Sequence, residues 1–162
     1  MFSFSRLGKN DIFIDLETGD FKTTVFQMIK KSNFPRKKEA FGAIIARENL
    51  GTTAIGNNVA IPHCRLKKFR DFYVKVAIFR KNLGYITPNA DEIRFVFMVI
   101  GPDEDPGYYL RTLSHISRVM NYPDARRELL NARNRTHARS ILCKYGNKYQ
   151  EELADSWKRV SF

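Results

Sequence analysis

Several features are scarce or missing in this sequence, and each absence excludes a class of protein. Among its 162 residues there are two cysteines, Cys64 and Cys143, too few for a disulfide framework. No apolar run approaches the roughly 20 residues that a membrane-spanning helix needs. The first residues, MFSFSRLGKND, lack the apolar core and small-residue cleavage site of a signal peptide. We therefore expect a cytoplasmic protein with reduced thiols and no membrane insertion.

Motifs for common cofactors and catalytic centres are also missing. The sequence has no GxxxxGK[ST] phosphate loop, no GxGxxG after a strand and no GxSxG elbow. His63 and Cys64 are adjacent, and His137 and Cys143 are six residues apart. Neither spacing suits two ligands of one metal ion. The sequence thus predicts neither a metal nor a cofactor.

Acidic residues are few relative to basic ones, and the positive charge is locally concentrated. Lys and Arg number 28 against 17 Asp and Glu, a formal net charge of +11. Seven of the basic residues fall within 126–148 beside one acid, Glu128, and RLKKFR (65–70) adds four more. Such runs usually form a solvated face. The alternatives are a surface for an acidic partner protein or for nucleic acid, and no nucleic-acid motif supports the latter.

What the sequence does contain is a regular alternation of strand and helix patterns. Segment 71–81 alternates apolar and polar residues, which predicts a half-buried strand. Segment 93–101 is apolar nearly throughout, which predicts a central strand covered on both faces. We expect an α/β fold with helices on both faces of a sheet. The strands are predicted over 11–16, 58–61, 71–81 and 93–101, and the helices over 21–31, 36–49, 108–122, 123–133 and 136–146.

Helix ends and faces can be predicted as well. Asp20 is placed to cap the first helix, and Gly51 to stop the second. Residues 146–162 are predicted to form a C-terminal basic extension, with one or two helical turns, appended to a domain spanning 1–145. The helix over 108–122 is predicted to bury a stripe made of Leu110, Leu113, Ile116 and Met120.

The stretch GNNVAIPHCR (56–65) is the strongest candidate for a functional site. Pro62 should end a strand ladder and display His63 at the rim of the sheet. A neutral imidazole is a good nucleophile near pH 7. Phosphoryl transfer mainly requires positioning and stabilisation of oxygen charge. Arg47, at the end of the preceding helix, could hold a phosphoryl group with two parallel donors.

Two hydroxyl groups could assist, and each of these residues also has a simpler interpretation. Thr52 and Thr53 follow Gly51 and could donate hydrogen bonds to phosphoryl oxygens. They could equally be ordinary turn residues. His63 alone could be an inert histidine, hydrogen-bonded at a strand end.

The stretch RENLGTTAIGNNVAIPHCR (47–65) resembles the fructose/mannitol-type enzyme IIA domain of the bacterial sugar phosphotransferase system. The similarity is greatest to its stand-alone nitrogen-regulatory members. It continues through IRFVFMVIGPDED and YLRTLSHIS to about Leu142. The resemblance implies a mixed sheet in an α/β/α sandwich. The positions that match the family pattern are Arg47, Glu48, Gly51, Thr53, Ile55, Gly56, Val59, Ala60, Ile61, Pro62 and His63.

The sequence departs from the family pattern at a few positions. Ala54 and Asn58 replace glycines, and Cys64 follows the histidine, which are mild changes. Tyr109 stands where the family has a second histidine. We expect Tyr109 to face the site from a helix N-terminus, where its hydroxyl could donate to a phosphoryl oxygen. His115 is predicted to be a solvated surface residue.

By this resemblance, His63 is the residue that accepts a phosphoryl group from the phosphocarrier protein HPr. Arg47 is the arginine that contacts the phosphoryl group. The group would then pass to an enzyme IIB or serve as a regulatory signal. Because the domain stands alone in this sequence, we expect regulation rather than commitment to one sugar. The alternatives are a binding module with impaired transfer, and a basic nucleic-acid-binding protein that shares only the fold.

Overall fold

A six-stranded mixed sheet forms the centre of the protein, as a computed structural model describes it over residues 2–160. Its strands are β1 (Ile12–Ile14), β2 (Ala54–Gly56), β3 (Val59–Ala60), β4 (His63–Leu66), β5 (Tyr73–Ile78) and β8 (Phe95–Pro102). Their order is β1-β5-β8-β3-β2, and β4 also pairs with β8. β5 runs antiparallel to β8, whereas β3 and β4 run parallel to it. A separate hairpin consists of β6 (Tyr85–Ile86) and β7 (Glu92–Ile93).

The long strand β8 is buried along its whole length. Phe95, Phe97 and Val99 belong to one hydrophobic cluster. The intervening residues, which include Val96 and Met98, belong to a second cluster on the opposite face. Side chains alternate between the two faces of a strand, so a strand in contact with two cores must be apolar throughout. This confirms the predicted central strand.

Five helices cover the two faces of the sheet. They are α1 (Phe21–Lys30), α2 (Lys37–Asn49), α3 (Pro106–Met120), α4 (Pro123–Leu130) and α5 (Arg135–Lys158). The buried residues of α1 and α2 lie in one cluster, and those of α3, α4 and α5 lie in the other. Two short 3-10 turns, Phe4–Arg6 and Lys9–Asp11, precede β1. The predicted α/β fold, with a mixed sheet between helical layers, is confirmed.

The predicted helix ends are also present. The Asp20 carboxylate accepts a hydrogen bond from the Thr23 N–H at 2.6 Å, which satisfies one of the free donors in the first turn of α1. After the C-cap of α2, the Gly51 N–H donates to the Glu48 carbonyl at 3.1 Å. Gly51 has φ of +155° and turns the chain away from the helix.

The prediction that β5 is half-buried is wrong, because the helical layers cover both of its faces. From Val74 to Ile78 each residue is buried. The polar member of the alternating pattern, Lys75, is only 7% exposed. Its ammonium group forms an ion pair with Asp11, just before β1. A lysine in an alternating pattern therefore does not prove that its face meets water.

The predicted buried stripe of α3 is only partly correct, because the buried face of the helix is turned away from Leu110. Leu110 is 62% exposed, whereas Ile116 and Met120 are buried as predicted. The buried face also contains polar side chains, Thr112 and His115, which an apolar pattern cannot identify. Thr112 is satisfied because its hydroxyl donates to the Tyr108 carbonyl at 2.9 Å.

His115 is a core residue, and the prediction of a solvated surface histidine is wrong. It is 3% exposed. Its ring lies 5.4 Å from Phe4 and 5.4 Å from Tyr149, measured between ring centroids. Its Nδ1 lies 3.2 Å from the Gln150 amide nitrogen, while Nε2 is buried without a hydrogen-bond partner among the described residues.

The predicted C-terminal extension is helical through Lys158, as a direct continuation of α5. Glycine often ends a helix, but Gly146 lies inside α5. A Cβ atom there would approach the Phe4 ring to 3.0 Å, so glycine is favoured for close packing rather than for ending a helix. Residues 146–162 contain three Lys or Arg and three Asp or Glu, so describing this segment as basic is wrong.

Several basic residues within 126–148 have structural partners. Arg126 donates to the Met120 carbonyl at 2.6 Å, and Arg139 donates to the carbonyls of Leu7 and Ser5. Lys144 forms an ion pair with Glu128 at 3.0 Å. These contacts tie α4, α5 and the N-terminal 3-10 turns together, so part of the basic run serves the fold. Within residues 2–160, no helix has the length and apolar character needed to cross a membrane.

Candidate functional site

His63 lies at the start of β4, directly after a break in the strand that precedes it. β3 and β4 both pair with β8, and Pro62 lies between them. The proline interrupts the ladder rather than ending it, since its carbonyl still accepts a hydrogen bond from the Val99 N–H at 2.9 Å. The predicted end of the ladder at Pro62 is therefore wrong. The half-buried His63 side chain is nevertheless displayed beside a cleft.

A backbone carbonyl fixes the protonation of the His63 ring. The Nδ1 atom lies 2.6 Å from the Ile61 carbonyl oxygen. A carbonyl can only accept a hydrogen bond, so Nδ1 of the neutral imidazole carries the proton. The lone pair is then on Nε2. His63 is thus held as a neutral nucleophile whose reactive atom is Nε2.

The surroundings of His63 favour this neutral form. Burial is the largest effect and lowers the pKa of His63, and the charge of Arg47 lowers it further. The hydrogen bond to Ile61 and the charge of Glu48 oppose these effects. The net pKa lies below the ordinary value of 6.5. The imidazole is therefore unprotonated, as a nucleophile must be, at neutral pH.

Arg47 lies in the last turn of α2 and lines the same cleft as His63. Its Nη1 donates to the Gly51 carbonyl at 2.9 Å. This bond holds the guanidinium plane and leaves its other N–H groups for a ligand. A planar fork of donors fits the oxygens of a phosphoryl group.

A network around Glu48 holds the turn between α2 and β2. The Thr53 hydroxyl donates to the Glu48 carboxylate at 2.6 Å, and the Thr53 N–H donates to both carboxylate oxygens at 3.1 and 3.2 Å. The Thr53 hydroxyl proton is therefore already engaged. Thr52 lies at the cleft, where its hydroxyl oxygen accepts from the Ala54 N–H at 3.2 Å and can still donate its proton.

The chain returns from this turn through a tight hairpin between β2 and β3. Asn57 and Asn58 have φ of +55° and +64°, as a two-residue turn between antiparallel strands requires. Asparagine tolerates positive φ well. This explains why Asn58 can replace the glycine of the family pattern.

The cleft beside His63 has a volume of about 330 Å³. α3 contributes Leu113, Ser114 and Ser117 to its wall. Sequence reasoning missed the two serines. The spacing of three between them, and of four from Leu113 to Ser117, places all three on one face of α3. The other residues that line the cleft are Arg47, Thr52, Thr53, Ala54, Ile55, Ile61 and His63.

Tyr109 lies close to His63, although it is not among the residues that line the cleft. Its ring centroid is 5.7 Å from that of His63, in an edge-on arrangement, and it is 5% exposed. The Arg65 guanidinium covers the Tyr109 ring at 5.6 Å. Burial, followed by the nearby Cys64, raises the Tyr109 pKa, so the phenol remains protonated at neutral pH. The ring lies next to His63 at the start of α3, as expected. That its hydroxyl donates to a phosphoryl oxygen stays a prediction.

Other titratable groups near His63 are not suited to bind a metal. Burial raises the pKa of the Cys64 thiol to about 12, so it is not a thiolate at neutral pH. Within residues 2–160, no group of three or more His, Cys, Asp or Glu residues is arranged to hold a metal ion.

Comparison with known proteins identifies the family. Residues 7–145 match the model of the phosphoenolpyruvate-dependent sugar phosphotransferase system EIIA 2 family. A nitrogen regulatory protein of Bradyrhizobium diazoefficiens is 27% identical over 106 residues, which are 65% of this chain and 69% of the relative. The chain therefore belongs to the EIIA 2 family.

Solved structures share the fold. The nitrogen regulatory protein IIA-Ntr of Neisseria meningitidis superimposes with a TM-score of 0.76 at 24% identity, covering 86% of this chain and 97% of that one. The enzyme IIA of Escherichia coli in a complex of IIA-mannitol with phosphorylated IIB-mannitol gives a TM-score of 0.69 at 15% identity, covering 86% and 98%. Family membership confirms a phosphocarrier or regulatory role in the phosphotransferase system.

Proposed function

We propose that this protein accepts a phosphoryl group on Nε2 of His63 and that a phosphohistidine on an HPr-type protein donates it. The observation that carries this proposal is the hydrogen bond from His63 Nδ1 to the Ile61 carbonyl. It leaves the Nε2 lone pair free beside a cleft that also contains Arg47. His63 and Arg47 are thus the residues proposed to perform the transfer.

The transfer exchanges one N–P bond for another. Nε2 of His63 attacks phosphorus in line with the donor nitrogen, the new N–P bond forms, and the donor imidazole leaves with its electron pair. Arg47 stabilises the charge on the phosphoryl oxygens, and we propose the Thr52 hydroxyl as a further donor. We propose that Thr53 acts through Glu48, because its proton is already engaged there.

Exposed apolar side chains around the cleft support docking of a protein rather than a small molecule. Ile55, at the cleft itself, is 43% exposed. Leu50, at the end of α2, is 85% exposed, and Leu110, beside Tyr109, is 62% exposed. The core of a protein interface is enriched in apolar side chains. We propose that these residues contact first the donor protein and then the recipient.

We propose a regulatory role in the cytoplasm, with a regulated protein or an enzyme IIB as the recipient. The support for regulation is the similarity to the nitrogen regulatory protein of Bradyrhizobium diazoefficiens. The support for a IIB recipient is that the Escherichia coli relative forms a complex with phosphorylated IIB-mannitol. The sugar-specific alternative predicts rapid transfer to one IIB protein.

The test is intact-mass measurement after incubation with phosphoenolpyruvate, enzyme I and HPr. We expect one added phosphoryl group that is lost in acid, as a phosphoramidate is. His63→Ala should abolish the addition. His115→Ala is the control, since it removes a core histidine that does not line the cleft. Persistence of the modification in His63→Ala, or its loss only in His115→Ala, would contradict the proposal.

A second candidate is a binding module that has lost transfer. The observation that favours it is Tyr109, which cannot become cationic as the family's second histidine can. In that case the wild-type protein stays unmodified in the same assay while remaining folded, and partner binding persists in His63→Ala.

A further inference from the structure

The last turns of α5 carry an exposed apolar stripe. Trp157 is 72% exposed and Val160, in the turn that follows the helix, is 55% exposed, while Leu153 is half-buried. Their spacings of four and three residues place them on one face. This segment lies beyond residues 7–145, which match the family model. A large exposed tryptophan in such a stripe indicates a contact surface.

Two residues of opposite charge lie along one flank of this stripe. Glu152 and Arg159 are seven residues apart, or about two helical turns, so both lie on the same flank of the stripe. Asp155 and Lys158 lie on the opposite side of the helix, where they pair with each other at 3.2 Å. The stripe is therefore bordered by an acid at its beginning and a base at its end.

We propose that this stripe binds the same stripe of a second copy of the chain, with the two helices antiparallel. A two-fold axis between antiparallel helices brings the same flank of each copy together. Glu152 then meets Arg159 of the second copy, and this pair occurs twice. Leu153 packs against Trp157 of the second copy. A parallel two-fold pair would instead bring opposite flanks together, so Glu152 would not meet Arg159.

A hydrogen bond within one copy orients Glu152 for the ion pair with Arg159 of the second copy. The Tyr122 hydroxyl donates to Oε2 of Glu152 at 2.6 Å, which holds the carboxylate near the start of the exposed last turns of α5. The other oxygen, Oε1, can accept from a guanidinium of the second copy. An ordered acceptor loses less conformational entropy when a partner binds.

The charges around the stripe favour a second copy over a membrane surface. Helices that bind anionic lipid carry an excess of Lys and Arg on their polar face. Residues 151–160 contain three acids, Glu151, Glu152 and Asp155, and two bases, Lys158 and Arg159. Such a segment is not attracted to anionic lipid but is complementary to itself when antiparallel.

The dimer leaves the phosphorylation site open. The cleft beside His63 is lined by residues of α2, the β2–β4 segment and α3. None of the stripe residues, Leu153, Trp157 and Val160, lines this cleft. Dimerisation and phosphorylation should therefore be separable, and variants in the stripe should be phosphorylated at the wild-type rate.

The first experiment follows self-association of the intact chain with concentration. Sedimentation velocity should show a weak monomer–dimer equilibrium, because a contact between a few helical turns of each copy should bury less than the roughly 1,200 Å² at which standard interfaces begin. Trp157 is the only tryptophan in the sequence, so its emission should shift to the blue as the dimer forms. Trp157→Ala should be monomeric over the same concentration range. This side chain is exposed, so the variant should fold.

The second experiment tests the antiparallel geometry by exchanging charges. Glu152→Lys and Arg159→Glu should each weaken the homodimer by about tenfold, since two attractive pairs become repulsive. An equimolar mixture of these variants should restore association, because each lysine then meets a glutamate. The matched control is the double variant Asp155→Lys/Lys158→Asp, which swaps charges on the opposite side and should dimerise normally.

Three outcomes overturn the proposal. The first is a wild-type protein that stays monomeric up to near-millimolar concentration. The second is a dimer that survives Trp157→Ala or that the charge mixture does not restore. The third is a blue shift caused by phosphatidylglycerol vesicles but not by protein concentration, which would assign the stripe to a lipid surface.

Discussion

At the scale of single residues, the site depends on how the backbone holds two side chains. The Ile61 carbonyl fixes the His63 ring, and the Gly51 carbonyl fixes the Arg47 guanidinium. Both carbonyls belong to the connection between α2 and β4. The residue types were predictable from the sequence, since a histidine after Pro62 and an arginine at a helix end form a recognisable pattern. The carbonyls that orient them could not be predicted, because any residue supplies a carbonyl.

Arg47 allows a direct test of phosphoryl binding. In Arg47→Lys the charge remains but the parallel donors are lost. We expect the rate of phosphorylation by HPr to fall at least about tenfold, or about 1.4 kcal/mol in the barrier. Single-turnover kinetics measure the rate, and circular dichroism checks the fold. An unchanged rate would mean that Arg47 serves only to close the turn through Gly51.

Tyr109 tests how the site works without the family's second histidine. Tyr109→His should speed phosphate exchange with HPr, because a cationic imidazole stabilises phosphoryl oxygens better than a phenol does. Tyr109→Phe should slow exchange several-fold, since one hydroxyl donor contributes about 1 kcal/mol. The measurement is a phosphorylation time course at equal HPr. Overlapping curves for the three proteins would show that Tyr109 only packs against His63.

At the scale of elements, strand β8 was the easiest to predict and helix α3 the hardest to orient. A continuous apolar run allows few alternatives to a strand covered on both faces. In α3 the buried face includes Thr112 and His115. The Thr112 hydroxyl forms a hydrogen bond within the helix, and Nδ1 of His115 forms one with Gln150 of α5. A prediction from apolar residues alone omits these two residues and therefore places the buried face too close to Leu110. The short strand β4 was not predicted, because Pro62 was expected to end the strand that precedes it.

The sheet contains a charged pair whose role can be tested. Lys75, in β5, is buried and pairs with Asp11, whose side chain is 25% exposed. Asp11→Ala leaves the ammonium without its partner and should reduce the free energy of unfolding by about 2–3 kcal/mol. The double variant Asp11→Ala/Lys75→Met should recover most of this loss, because no charge is then buried. Urea denaturation measures both. A double variant as unstable as Asp11→Ala would contradict this explanation.

At the scale of the whole molecule, stability should depend on pH through its histidines. Burial lowers the pKa of His115, and the pKa of His63 is also lowered. The unfolded chain then binds more protons than the folded one below about pH 6.5, so stability falls as pH falls through this range. The groups that contact the His115 ring are Gln150, Tyr149, Phe2 and Phe4, and none of them is a carboxylate, an ammonium or a guanidinium group.

His115→Phe should reduce this acid sensitivity while keeping an aromatic ring in the core. We expect its melting temperature to fall less than that of the wild type between about pH 7.5 and pH 5.5. Differential scanning calorimetry at several pH values measures the difference. His137→Phe serves as a control, because that side chain lies at the start of α5 away from this cluster. Parallel pH profiles for wild type and His115→Phe would contradict the assignment.

The position of β8 in the chain has a consequence for biosynthesis. This strand joins β5 to β3 and β4, yet it begins only at Phe95. While a ribosome synthesises the first 94 residues, β1 can pair with β5 and β2 with β3, but these two halves of the sheet share no strand. The nascent chain must therefore wait for β8 to emerge before its core can close. Until then its apolar strands are exposed to chaperones and proteases, and a chain truncated before Phe95 should be degraded rather than accumulate.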